Sequence, residues 1–71
     1  MNIGEASAVT TVLEHLTQAG PAEDYPDDVV VAVAELNARA RKALGAGLTL
    51  PMVWMMRRDE ILAARRHRNT R

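Results

Sequence analysis

The chain has no cysteine and no phenylalanine, and Tyr25 and Trp54 are its only aromatic residues. The first absence excludes disulfides and thiolate metal sites. The second leaves Ala, Val and Leu to build any core, which favours thin cores between closely spaced helices. No apolar run approaches the ~18–20 residues of a membrane span. The opening residues carry neither a basic segment nor an apolar stretch of the signal-peptide kind, and a cytoplasmic location is the expectation that follows. Positive charge is missing from residues 1–28, which hold Glu5, Glu14, Glu23, Asp24, Asp27 and Asp28. Residues 51–71 reverse the balance, with Arg57, Arg58, Arg65, Arg66, Arg68 and Arg71 against Asp59 and Glu60. A formal net charge of zero over 71 residues thus hides an acidic head and a basic tail. Such a chain can pair its own charges, bind a second copy, or present the tail to an anionic partner.

Chains of this size bury a small share of their unfolded surface and usually need disulfides, metals or oligomerisation for support. His15 and His67 lack the spacing of a metal motif. Homo-oligomerisation, or docking on a larger partner, is the remaining aid.

Helical periodicity dominates. Asn2 and Glu5 form the two halves of a capping box ahead of a helix over 3–19, with Val9, Val12, Leu13 and Leu16 on one stripe. Gly20-Pro21 stops it. Pro26 opens a second helix over 26–44, and Asp27 and Asp28 complement its dipole. Val29, Val33, Leu36, Ala40 and Leu44 recur along it. The β-branched run Val29-Val30-Val31 is outweighed by the helical pattern that continues through Ala40. Gly45 stands where a left-handed C-terminal residue is expected. A third helix, about 51–67, follows Thr49 or Leu50 as cap, with Asn69-Thr70-Arg71 fraying. The expected fold is all-α: an antiparallel helical hairpin plus a crossing C-terminal helix in one domain. The hairpin is expected to pair Val9, Val12, Leu13 and Leu16 with Val29, Val33, Leu36 and Ala40.

The third helix carries the functional signal. Met52-Val53-Trp54-Met55-Met56 is apolar on every side, and two Ala-rich helices supply too little cover for it. Trp and Arg are frequent interface anchors, and Met adapts to irregular surfaces. The expected partner-binding set is Trp54, Met55, Arg57, Arg58, Ile61, Leu62 and Arg65. Arg65, Arg66 and Arg68 have no acidic residue three or four positions earlier, so local pairs cannot neutralise them. Against this stands the plainer reading of a buried Trp54 and a solvated basic face.

Two other readings use the same residues. Helix, turn and basic helix resemble a helix-turn-helix, with arginines on phosphates. The connector Gly45–Leu50 is long for that motif, however, and Met-Val-Trp-Met-Met offers nothing to hydrogen-bond base edges. Nucleic acid is therefore the less favoured partner. A small virion component is the other alternative. Catalysis finds no support: Glu14-His15, Asp27-Asp28 and Asp59-Glu60 are sequence neighbours pointing apart, and His15 reads as a half-buried structural residue. No nucleophile elbow, phosphate loop or cofactor motif is present. No enzyme, cofactor or metal is expected.

The blocks Met1–Ala6 (with Val9, Val12 and Leu13) and Ala38–Leu48 resemble small helical proteins of actinobacteria and their phages. The resemblance covers about two-fifths of the chain. It implies a small intracellular or phage-encoded helical protein. That group has no established function, so it assigns no role to any residue, and the Met/Trp/Arg helix lies outside it.

Overall fold

The computed structural model describes residues 1–69; Thr70 and Arg71, and so the expected fraying there, lie outside them. Three helices form, α1 (Ile3–Ala19), α2 (Asp27–Leu44) and α3 (Met52–Asn69), with a short 3-10 turn at Ala22–Asp24. The described residues contain no strand. α1 and α2 make the antiparallel hairpin, and α3 packs on α2 and on the 3-10 turn.

Local chemistry sets each boundary. The Asn2 Oδ1 accepts the Glu5 amide at 2.7 Å, and its Nδ2 donates to the Glu5 carboxylate at 2.6 Å. The reciprocal half of the capping box therefore runs through the Asn2 side chain rather than its backbone. α1 ends at Gly20, which is extended (φ −171°, ψ 167°). The stop belongs to Pro21, whose ring disfavours helical geometry in the residue before it. Pro26 and Pro51 each stand just outside the helix they open. Pro26 accepts the Val29 and Val30 amides at 3.0 and 3.1 Å, and Pro51 accepts those of Trp54 and Met55 at 3.0 and 3.2 Å. Thr49 does not cap α3; its hydroxyl accepts a bond from Arg41. Gly45 closes α2 in the left-handed region (φ 73°), donating its amide to the Arg41 carbonyl at 2.8 Å.

One core runs through all elements. Leu13, Ala22, Val30, Val31, Val33, Ala34, Leu50, Trp54 and Ile61 are buried together, with Val9, Leu16, Tyr25, Val29, Leu36, Leu48 and Leu62 packed around them. Two expectations are corrected. Val12 is 63% exposed and lies at the open edge of the hairpin, bordering a shallow apolar groove with Val9 and Leu36 rather than sitting inside the contact. The second concerns α2, whose buried side is wider than the stripe Val29, Val33, Leu36 and Ala40. Val30, Val31, Ala34 and Asn37 are also inside, because the middle helix faces a neighbour on each flank.

Trp54 is 2% exposed, and its ring lies 5.4 Å from that of Tyr25 at a tilt of 40°. The connector thus meets α3 through an aromatic pair. Trp54→Ala should remove about 3–5 kcal/mol. That is most of the stability a domain of this size holds, so urea unfolding should show the variant largely unfolded at 25 °C. A two-state transition within 1 kcal/mol of wild type, by the same order-of-magnitude yardstick (~1 kcal/mol), would refute the central role of this side chain.

Candidate protein-interaction surface

α3 is divided lengthwise. Trp54 and Ile61 (4% exposed) face the core and Leu62 is half-buried, so the first two are not contact residues of the folded chain. The exposed apolar side chains of α3 lie on the opposite arc. Met52 is 74% exposed and Met56 57%, with Val53 and Met55 exposed beside them. These are i, i+1, i+3 and i+4 positions, so they form one apolar crown over the first turns of the helix. Each flank of the crown opens into a groove. Val53 and Met56 border one of about 370 Å³ with Ala22, Arg57 and Glu60. Met55 borders another of about 620 Å³, whose far wall is the last turns of α2.

The arginines divide likewise. Arg57 Nη2 donates to Asp27 Oδ1 at 2.8 Å and its Nη1 lies 3.5 Å from Glu60. Arg65 Nη2 donates to Asp28 Oδ1 at 2.7 Å. The basic helix therefore folds back on the acidic start of α2, a possibility the sequence left open. Asp27 and Asp28 serve both the helix dipole and these interhelix pairs. Arg58 binds its neighbour Asp59 through Nε and Nη2 at 3.0 and 2.8 Å, because a guanidinium is long enough to curl back over one residue. Asp59 and Glu60 are thus ion-pair partners of Arg58 and Arg57.

A polar cluster with one buried member, Asn37, holds the α2–α3 loop. Asn37 Nδ2 and Arg41 Nη1 both donate to the Leu48 carbonyl, at 3.0 and 3.1 Å, and Asn37 Oδ1 has no partner among the described residues. A Cβ on Gly47 would stand 3.1 Å from Arg41 Cγ, so glycine there lets the arginine stem pass against the loop. Asn37 escaped the sequence reading, although it shares a helical stripe with Val30, Ala34 and Arg41, where a polar residue among apolar ones is a signal.

His15 is exposed rather than half-buried; its Nδ1 donates to the Thr11 carbonyl at 2.9 Å, one turn back on the same helix. Among the described residues no three His, Cys, Asp or Glu side chains are grouped to hold a metal ion. No described helix is long and apolar enough to cross a membrane. Compared with protein families, with curated proteins and with solved structures, the chain finds no match.

The two interhelix ion pairs are largely solvent-exposed, a setting in which a pair contributes roughly 0.2–1 kcal/mol. The double variant Asp27→Asn/Asp28→Asn should therefore unfold at a lower urea concentration, by about 1 kcal/mol in total, and the difference should shrink in high salt. An equal difference at both salt concentrations would show that the loss is not electrostatic.

Proposed function

We propose that this chain is a non-enzymatic interaction or regulatory protein, of phage or actinobacterial type, that binds a partner protein through the outer face of α3. The observation that carries this reading is the exposed Met52, Val53, Met55 and Met56 crown on a helix whose inner face is already fully used by Trp54 and Ile61. Large apolar side chains clustered in water are unfavourable unless something covers them, and methionine adjusts its rotamers to the surface it meets. Self-association through the same crown belongs to this reading. Phosphate binding by α3 is less well supported, because Arg57, Arg58 and Arg65 already hold carboxylates of their own chain.

The test uses Met52→Ser/Met56→Ser, two exposed positions whose change should leave the unfolding midpoint and the Trp54 emission unaltered. Wild type and variant are compared as bait and by light scattering. Proteins retained by the wild type should be lost from the variant, and any oligomer should become a monomer. The Kd of the interaction should rise at least about tenfold, as for removal of an apolar anchor. Equal retention and equal molar mass for both chains would refute the crown as the contact.

A further inference from the structure

The α2 helix is charged in opposite senses at its ends, and among the described residues only its first turn is met by opposite charge. Asp27 and Asp28 take Arg57 and Arg65 from α3. Arg39, Arg41 and Lys42, at the other end, enter no ion pair among the described residues. Glu35, one turn before Arg39, does not pair with it either. Arg41, Lys42 and Arg58 line the 620 Å³ groove beside Met55, and no described carboxylate lines it. Lys42 is shared with a neighbouring groove of about 400 Å³ that Arg39 borders, again without a carboxylate. The floor between the cations is mostly apolar, made of Ala34, Ala38, Leu50 and Met55 beside the one buried amide, Asn37.

Arg41 is the informative residue. Its Nη1 is held by the Leu48 carbonyl and, at 3.3 Å, by the Thr49 hydroxyl. Those two bonds and the stem packed against Gly47 fix the guanidinium plane. Its Nε and Nη2 edge has no partner among the described residues, and that edge is the fork that takes a carboxylate through two parallel bonds. A fixed arginine loses little side-chain freedom when it binds, which favours recognition.

Building on the protein-binding reading, we propose that this groove receives an acidic amphipathic segment of the partner. A carboxylate seats on the open edge of Arg41, a second lies near Lys42 and Arg39, and an apolar side chain rests on Leu50 and Met55. The apolar floor favours a peptide over a phosphate backbone, which would leave Met55 and Leu50 uncovered. Stacking of bases is also unprovided for, since Tyr25 and Trp54 are turned onto each other. The groove adjoins the Met crown, so one partner can cover both.

The test is an amide and guanidinium NMR titration of the full chain. The probe is a synthetic peptide of alternating Glu and Leu, and its Gln/Leu counterpart is the control. The acidic peptide should shift Lys42, Gly45, Thr49, Met55 and the Arg41 Nε–H, and the control should bind at least about tenfold more weakly. Arg39→Gln/Lys42→Gln leaves the core and the loop clamp untouched and should weaken the acidic peptide by a similar factor. Arg41→Lys keeps the charge but removes the fork, and should weaken it too. Absence of shifts, equal binding of both peptides, or shifts confined to Val53 and Met56 would overturn the proposal. So would tighter binding of a short DNA duplex, or dimerisation of the free chain through this groove. The Met52→Ser/Met56→Ser comparison answers separately, so this groove can fail while the crown stands.

Discussion

Burial of Trp54 is the contact on which the rest of the arrangement depends. The indole sits where α3 meets α2 and the 3-10 turn, tilted against Tyr25, in a core otherwise built of Val, Leu, Ile and Ala. Small side chains bring helices close but supply little area each, so one large ring contributes a disproportionate share of what is removed from water. It also sets the rotation of α3 about its axis. With Trp54 and Ile61 turned inward, Met52, Val53 and Met56 have nowhere to go but outward. The exposed crown is a geometric consequence of the buried indole.

The charges then settle around that rotation. Arg57 and Arg65 lie beside the inward stripe of α3, two turns apart, where they reach the first turn of α2. Exposed pairs of this kind add little stability, but they orient the helices and remove two arginines from the surface available to other anions. The opposite end of α2 meets a loop, not a charged helix. There the cations meet no carboxylate among the described residues, and Arg41, exposed, gives its Nη1 to the Leu48 carbonyl. The first turn of α2 is thus answered by arginines of α3, whereas Arg39, Arg41 and Lys42 in its last turns enter no ion pair among the described residues.

The loop clamp shows how a polar group can be retained inside so small a core. Asn37 is buried and satisfies only its donor side, and Oδ1 has no partner among the described residues. An unmet acceptor is unfavourable, and its presence here coincides with the place where the chain must turn from α2 to α3 and hold Leu48 and Leu50 inward. Arg41 donates to the same carbonyl, so the loop is tied by two side chains that rise from successive turns of one helix.

Helix content, boundaries and the all-α class were determined by local features: the Asn2–Glu5 cap, the Pro21, Pro26 and Pro51 positions, the left-handed Gly45 and the 3.6-residue spacing of apolar side chains. These act within a few residues, so a sequence displays them directly, and they misplace an edge by only a residue or two. The excess of apolar surface on α3 was legible for the same reason. Which side of α3 would be buried was not, since an all-round apolar segment has no preferred face until a neighbour chooses one; Trp54 and Ile61 went in and Met52 and Met56 stayed out. Val12 lay on a stripe too wide for one partner helix, whereas α2 needed two buried flanks because it lies between neighbours. The fates of Asp27, Asp28, Arg57, Arg65 and Arg41 depended on approach between residues far apart in the chain or across a turn. Only tertiary packing decides such distances, and with them which charges are answered and which remain open.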